Sequence, residues 1–326
     1  MLADLEFLPT SVAVPMQVLK LKQSGTAGMA EIAATLSADA GLATKILSLV
    51  NSAAFSPATK VTRLSQAAAM IGMKNLMPLV FGLSLGGMFN KLSLRSEDRA
   101  ALFQSGLLKA CAARSAAAIV APEQQEEAFL CGLLQDVASA AILASDRASL
   151  QDALQVLEIQ DAASRKLREE QSYGTTHAAV GALIVARLGL PDLFTQSVGL
   201  HHSGVEAMSA ALGPGLARAL DMAAALPHRL TSGTKAIQSV SLKLKCIVGD
   251  VDNGQAEALA KDITDAYSVL YRTFGENDEA SGAYRQFLQQ ISAEVARTTE
   301  EAVKASQSVI GTLKVQHTSW RRKWAS

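Results

Sequence analysis

The sequence predicts an all-α protein, and three observations carry that prediction. No segment of the 326 residues shows sustained alternation of apolar and polar residues, the pattern of a half-buried strand. Apolar residues instead recur at three- and four-residue spacings, as in the stretch 129–143, FLCGLLQDVASAAIL. A hydrophobic content of 49% with 18% charged residues indicates a folded chain rather than a disordered one.

The first 95 residues predict several short helices. An amphipathic run around Met16 and Leu19 comes first, and a short helix around Ile32 follows the break at residues 25–28. Asp39 is the expected N-cap of the next helix, which ends before Ser56 and Pro57. Two further helices, over 67–71 and 73–89, are separated by a glycine.

Residues 96–232 contain the polar groups that could form a site. A polar seam at 96–99 precedes an alanine-rich helix over 101–120, a loop over 122–127 and a helix over 129–142 that is apolar on nearly all sides. We expect an exposed amphipathic helix over 150–170 and then a helix beginning at His177, capped by Thr175 or Thr176. A helix after Pro191 ends at His201 and His202, and two more follow on either side of a turn at 213–215.

Two acids in apolar helices, Asp136 and Asp221, need partners. An isolated ionised carboxylate in such a helix would be costly, so each must be protonated, hydrogen-bonded or paired with a cation. We expect a buried hydrogen-bonded cluster that joins both acids to the late histidines His177, His201 and His202. The alternatives are a bound metal ion and a pocket that is either empty or occupied by an anion.

The residues from 233 onward predict a helical C-terminal extension with turns at 249–255 and 275–278. Its last long segment, 284–313, places apolar or small residues at alternating steps of four and three: Tyr284, Leu288, Ile291, Val295, Thr298, Ala302, Ala305, Val309 and Leu313. Such a seam predicts a homodimer, with a modest affinity because the central residues are small. A helix folded back on its own domain predicts the same pattern.

Composition narrows the function classes further. The 30 basic and 30 acidic residues give a formal net charge of zero, so no global field favours nucleic acid or anionic lipid. Cys111, Cys131 and Cys246 lack zinc-site spacing, and we expect reduced thiols. No apolar signal core is present at the start, and the apolar run 76–89 is too short to span a bilayer. We therefore expect a cytoplasmic protein that binds neither nucleic acid nor a membrane.

Several motifs of the chain resemble known families. The residues 133–137, LLQDV, resemble the LLHDIGK signature of HD-type metal phosphohydrolases. A second set resembles the HDOD family, the HD-related output domains of bacterial signalling proteins: the NSA motif beginning at Asn51, then Tyr173, Gly174, His177, Gly181, Gly189, Leu190, Pro191, His201 and His202. The resemblance extends from about residue 8 to about residue 230. It implies an N-terminal helical bundle over 1–95 packed on an HD-like bundle over 96–232, with 233–326 as the extension.

The same resemblance implies a damaged metal site. A mononuclear HD site takes one histidine from an early helix, a His-Asp pair from a second helix and an aspartate from a late one. The matching positions hold Ser105, Gln135, Asp136 and Asp221, so two of the four ligands remain. Ser139 stands where active relatives carry a lysine, and no Gly-Tyr-Pro follows His202.

The resemblance therefore implies a non-catalytic signalling module. We expect it to act through protein–protein interaction with other signalling proteins, with no cofactor, no bound metal and no catalytic residues. The alternative is a divergent metal-dependent phosphohydrolase or phosphodiesterase that uses Asp136, Asp221 and the late histidines. We expect Asn51 to bond its own backbone. Glu169 and Glu170 match the acidic end of the segment that precedes the Gly-X-X-His motif of the family, and the alternative for them is a solvated helix end.

Overall fold

The protein is α-helical throughout the part of the chain that the structure describes. The computed structural model describes residues 13–51, 57–90, 92–145, 156, 162–227, 234–248, 253–273 and eight positions between 286 and 297. Within these residues there are fifteen α-helices and no strand. The prediction of an all-α fold is confirmed.

Five helices make up the N-terminal part of the fold. They are α1 (Ala13–Ser24), α2 (Met29–Ser37), α3 (Ala40–Val50), α4 (Leu64–Ile71) and α5 (Met73–Phe89). Asp39 caps α3 as predicted, because its side chain accepts a hydrogen bond from the backbone N–H of Leu42 at 2.9 Å. Gly72, between α4 and α5, has a φ of 77°, a value that other residues rarely adopt.

The centre of the fold is α6 (Ser96–Val120), which contacts α5, the two helices that follow it and several helices later in the chain. It is followed by a 3-10 turn at Pro122–Gln124, α7 (Gln125–Leu134) and α8 (Val137–Ser145). The predicted loop over 122–127 is wrong in its second half, where α7 has already begun. The predicted continuous helix over 129–142 is interrupted at Gln135 and Asp136, whose side chains bond to Leu220 and Lys109 on other helices.

Five helices complete the central part. They are α9 (Ala162–Tyr173), α10 (His177–Arg187), α11 (Asp192–Leu200), α12 (Val205–Leu212) and α13 (Pro214–Ala224). Thr176 is the residue that caps α10, since its hydroxyl accepts a hydrogen bond from the N–H of Ala179 at 3.1 Å. Residues 150–155 and 157–161 of the predicted helix over 150–170 lie outside the described residues.

The extension adds α14 (Thr234–Val248) and α15 (Asn253–Thr273), and both pack against α6. The predicted turn over 249–255 is too long, because α15 begins inside it. The side-chain amide of Gln104 on α6 donates a hydrogen bond to the hydroxyl of Tyr271 on α15 at 2.9 Å. Apolar burial and this buried hydrogen bond together fix the extension to the body of the protein.

One hydrophobic core runs through the described residues from Met16 to Ile291. It joins the N-terminal helices, the central helices and the extension without a gap. The domain boundaries after residues 95 and 232 therefore stay predictions, because no separation of cores marks them.

A candidate membrane span occurs among the described residues, at Pro122–Ala144. The segment has the length and the apolar composition to cross a bilayer. However, 89% of its most apolar window is buried inside the protein, as in the core helix of a globular fold. This is weak evidence for a span.

Candidate functional site

The candidate site is built around Asp136, in the turn between α7 and α8. One carboxylate oxygen, Oδ2, accepts a short hydrogen bond from the ammonium group of Lys109 on α6. Both side chains are withdrawn from solvent, with 0% of the lysine side chain and 8% of the aspartate side chain exposed. The close approach of α6 and α7 makes this contact, since a Cβ at Gly132 would lie only 2.6 Å from the carbonyl oxygen of Lys109.

His177, in the first turn of α10, is held by Glu169 on α9. Its Nδ1 lies 2.6 and 2.8 Å from the two oxygens of the Glu169 carboxylate, and its backbone N–H donates to Oε2 at 3.0 Å. A carboxylate accepts hydrogen bonds, so Nδ1 carries the hydrogen. The other ring nitrogen, Nε2, therefore turns away from Glu169 and towards Asp136.

His201, at the end of α11, is held in the same manner by a backbone carbonyl. Its Nδ1 donates to the carbonyl oxygen of Val198 at 2.7 Å, since a carbonyl can only accept. Its Nε2 lies 3.1 Å from Nε2 of His177. The two imidazoles are thus oriented by outer partners, as metal-ligating histidines usually are.

Three acceptor atoms consequently surround one point. Oδ1 of Asp136 lies 3.5 Å from Nε2 of His177 and 3.6 Å from Nε2 of His201. Metal–ligand bonds of about 2.0–2.1 Å place tetrahedral donor atoms about 3.3 Å apart. The three separations of 3.1, 3.5 and 3.6 Å match one face of such a tetrahedron.

His202 is the fourth residue of this group. The ligand atoms of Asp136, His177, His201 and His202 all lie within 4.8 Å of one another. The His202 ring centroid is 4.0 Å from that of His201, and Nε2 is buried with no hydrogen-bond partner among the described residues. Burial lowers the pKa of both His201 and His202, which favours neutral imidazoles.

Two buried cations balance the two carboxylates. Arg165 on α9 is buried and interacts electrostatically with Asp136 and Glu169. Burial lowers the pKa of Lys109, and the neighbouring Asp136 carboxylate opposes that shift. The two positive charges of Lys109 and Arg165 therefore offset the two negative charges of Asp136 and Glu169.

Asp221 does not join the cluster, and that part of the prediction is wrong. It lies on α13, where its carboxylate pairs with the ammonium of Lys243 on α14 at 2.5 Å. Its side chain is 21% exposed, so water also solvates the charge. Asp221 therefore pairs with a partly exposed lysine rather than with a buried histidine.

Ser105 and Gln135 use their side chains to bond to backbone carbonyls. The hydroxyl of Ser105 donates to Pro227 at 3.2 Å, and the amide of Gln135 donates to Leu220 at 3.0 Å. Both side chains are buried. These hydrogen bonds link α6 to the residues after α13, and the α7–α8 turn to α13.

The motif residues Asn51, Gly174, Gly181 and Pro191 have structural positions. Asn51 ends α3, where its amide donates to the carbonyls of Leu47 and Val61 at 2.7 and 2.8 Å and its oxygen accepts from the N–H of Val61 at 2.8 Å. Gly174 has a φ of 67° in the turn before α10, and Pro191 is the N-cap of α11. Gly181 on α10 lies close against Val198 on α11, since a Cβ added at Gly181 would be 2.7 Å from Cγ1 of Val198.

Lys109, Arg165 and Glu169 were missed as site residues in the sequence. Lys109 lies in the alanine-rich helix, where no sequence motif distinguishes it from the other charged residues. Arg165 and Glu169 lie in the segment that was predicted to be an exposed helix. The alternative of a solvated helix end is wrong for Glu169, which is buried, whereas Glu170 is exposed. Glu169 lies eight residues before His177, and only the turn at Gly174 brings the two together.

A small cavity adjoins the cluster on the side of α8 and α9. It is lined by Ser139, Ile142, Leu143, Val156, Glu169, Tyr173 and His177. Its enclosed volume is about 10 Å³, which is room for about one water molecule. The hydroxyl of Ser139 is buried there without a hydrogen-bond partner among the described residues.

The family of the protein follows from comparison with known sequences. The HDOD domain matches residues 8–204, which is more than half of the chain. The chain belongs to the HDOD family. A curated relative, an uncharacterized protein of Treponema pallidum (strain Nichols), is 23% identical over 210 residues, which span 61% of this chain and 38% of that protein.

Three solved structures share the fold. An HDOD domain protein with unknown function from Geobacter sulfurreducens superposes with a TM-score of 0.57 at 18% identity, covering 82% of this chain and 91% of the other. A "Putative signal transduction protein" from Marinobacter aquaeolei VT8 superposes with a TM-score of 0.60 at 18% identity, covering 82% of this chain and 59% of the other. A "Putative phosphohydrolase" from Shewanella amazonensis SB2B superposes with a TM-score of 0.55 at 22% identity, covering 79% of this chain and 93% of the other. At these identities the likeness shows the fold alone.

The full HD metal set does not fit this HDOD chain. Gln135 is bonded to a backbone carbonyl, Asp221 is paired with Lys243, and the ammonium of Lys109 occupies one oxygen of Asp136. The donors of a single ion position remain around Oδ1 of Asp136, but the charge that such an ion would neutralise is already balanced.

Proposed function

We propose that this HDOD protein is a non-catalytic signalling module that acts by binding other signalling proteins. The observation that carries the proposal is the ion pair between Lys109 and Asp136. A metal-dependent phosphohydrolase needs this aspartate for its metal ion, and here a buried ammonium group occupies it. The likeness to the Marinobacter signalling protein supports the same proposal at the level of fold.

The catalytic half of the proposal is tested by hydrolysis assays. The full chain, purified and freed of metal by chelation, is given Mn²⁺, Mg²⁺ or Zn²⁺ and incubated with bis(p-nitrophenyl) phosphate. We expect no release of p-nitrophenol above the rate without protein. Hydrolysis that His177→Ala abolishes would overturn the proposal, and this variant also excludes a contaminating enzyme.

The binding half is tested by reciprocal capture. A tagged full chain is cross-linked in its own organism, and each captured protein is then tagged in turn and tested for return capture of this chain. We expect at least one signalling protein to pass both steps with comparable recovery in the presence and absence of a chelator. Loss of every partner on chelation would contradict a metal-free binding module.

A second candidate function is a divergent metal-dependent phosphohydrolase, which the triangle of Asp136, His177 and His201 favours. Three acceptors at tetrahedral separations form a recognisable cation position. The likeness to the Shewanella protein is consistent with it. The hydrolysis assay above separates the two candidates, since this function requires activity that depends on an added ion.

A further inference from the structure

We infer that Lys109 is the resident cation of the buried cluster and takes the place of a divalent metal ion. The inference deepens the proposed function, on which it rests, because it states what keeps the site in a metal-free state. Asp136 has two oxygens that face two different cation positions. The ammonium group of Lys109 is at Oδ2, and the two imidazole nitrogens of His177 and His201 share the second position with Oδ1.

The second position has the donors for an ion such as Zn²⁺ or Co²⁺. Imidazole nitrogens and a carboxylate oxygen suit these metals, and Glu169 and Val198 already fix both ring orientations. His202 adds a nitrogen within reach of the same group. Geometry therefore does not explain why a lysine is present.

Charge explains it. Lys109 and Arg165 balance Asp136 and Glu169, so a divalent ion would leave two uncompensated positive charges in a closed interior, which is strongly unfavourable. Without the ammonium group, the carboxylates of Asp136 and Glu169 would share one buried cation, Arg165. A divalent ion would then meet an Asp136 carboxylate that has lost its ammonium partner, and the nearest cation that repels the ion would be gone.

The lysine cannot easily leave the site. Its side chain is fully buried, and its helix is fixed against α7 by the close contact at Gly132. A tethered ammonium group has a high effective concentration at Oδ2 that a dissolved ion must overcome. The ammonium group of Lys109, which is covalently attached to the protein, therefore competes with a dissolved metal ion for Asp136.

The experiment compares the full-length wild type with Lys109→Met, which removes the charge and keeps a side chain of similar length. Metal-free proteins are titrated with Co²⁺, whose visible absorption in a tetrahedral site reports binding. We expect Lys109→Met to bind one Co²⁺ at least about 100-fold more tightly than the wild type, because a repulsion between buried charges a few ångström apart exceeds that factor even at an effective dielectric constant of about 20. Co²⁺ should also raise the melting temperature of this variant and not that of the wild type.

Two further variants keep the outcome decisive. Lys109→Met/His177→Ala should lose the Co²⁺ spectrum, and Lys109→Gln should bind as Lys109→Met does. Equal Co²⁺ affinity of wild type and both neutral variants would overturn the inference. So would a failure of both neutral variants to fold with or without Co²⁺, since the ion would then be no substitute for the ammonium group. The Co²⁺ titration does not depend on hydrolysis. The inference about Lys109 can therefore hold when the proposed function fails, and it can fail when the proposed function holds.

Discussion

Lys109 and Asp136 lie 27 positions apart in the chain and form an ion pair in which neither side chain is appreciably exposed. Pairs of this kind contribute little net stability compared with apolar side chains of similar volume, because both charges lose their hydration. The loss of one partner is a different matter, since the other charge stays buried and unpaired. The pair therefore makes each residue dependent on the other.

Asp136→Asn should be among the most destabilising single substitutions in this protein. It leaves the ammonium of Lys109 without its anion, and we expect a loss of about 3–5 kcal/mol in the free energy of unfolding. Lys109→Met/Asp136→Asn should recover part of that loss, because no unpaired charge remains. Urea unfolding of the four proteins of this double-mutant cycle measures the coupling.

Asp221→Asn is the matched control, because it also removes an aspartate that is paired with a lysine. The side chains of Asp221 and Lys243 are 21% and 32% exposed, so water screens both charges. We expect a loss of no more than about 1 kcal/mol. Equal losses for Asp136→Asn and Asp221→Asn would mean that burial does not distinguish the two pairs.

The fold was predictable from local pattern, and particular elements show why. The helices around Ile46, Phe81 and Val198 have apolar residues at helical spacing, and caps such as Asp39 and Thr176 need only neighbouring residues. The break at Gln135 and Asp136 was not predictable, because the apolar spacing continues through it and the partners of both side chains, Leu220 and Lys109, are remote in sequence.

The candidate site was predictable only in part for the same reason. Asp136, His177, His201 and His202 were expected together, and the structure brings these four residues together. Asp221 was equally plausible from its apolar surroundings, yet the choice of partner depends on which lysine faces it after packing. The buried positions of Lys109 and Glu169 likewise result from close contacts between helices, which a one-dimensional pattern does not contain.

Gly181→Ala should destabilise the protein by separating the two helices that carry His177 and His201. The added Cβ would lie 2.7 Å from Cγ1 of Val198, a buried β-branched side chain with little freedom to move. We expect a loss of about 1–3 kcal/mol, as for other overpacked cores. Thermal melts measure it, and Gly181→Ala/Val198→Ala should be more stable than Gly181→Ala if the clash is the cause.

Gln135→His should restore a histidine to the HD pair without restoring hydrolysis. The new ring would stand where the Gln135 amide now bonds to Leu220, while Asp221 would still be paired with Lys243 and Lys109 with Asp136. The assay is release of p-nitrophenol from bis(p-nitrophenyl) phosphate with added Mn²⁺. Activity in this single variant, absent from the wild type, would show that the other replaced positions are not what prevents catalysis.

The three cysteines should differ sharply in reactivity. Burial raises the pKa of both Cys111 and Cys131 to about 12, whereas Cys246 is exposed. The thiolate is the reactive form, so iodoacetamide at pH 8 should add one group to the native protein and three in denaturant, as measured by mass spectrometry. Cys246→Ser should take up none while folded. Modification of Cys111 or Cys131 in the native protein would indicate that the core opens.

Ile291 tests the proposed homodimer seam over 284–313. In such a homodimer, Ile291 would contact Ile291 of the second copy. However, its side chain is only 1% exposed within its own chain. Its backbone carbonyl also accepts a hydrogen bond from the Ser241 hydroxyl on α14 at 3.5 Å. Phe287, four residues earlier, is buried as well. Tyr284, Leu288, Val295 and the positions from 298 to 313 lie outside the described residues.

This burial favours the alternative in which the helix folds back on the protein, so Ile291→Asp should act on stability rather than on association. A charge placed in the core should lower the free energy of unfolding by more than about 3 kcal/mol. Leu242→Asp, at an α14 position that is 65% exposed, is the control and should cost no more than about 0.5 kcal/mol. Light scattering across a concentration series should give the same mass for the wild type and both variants. A wild-type mass that rises with concentration and falls to that of a monomer in a stably folded Ile291→Asp would restore the dimer seam, because only an interface residue could separate association from stability in that way.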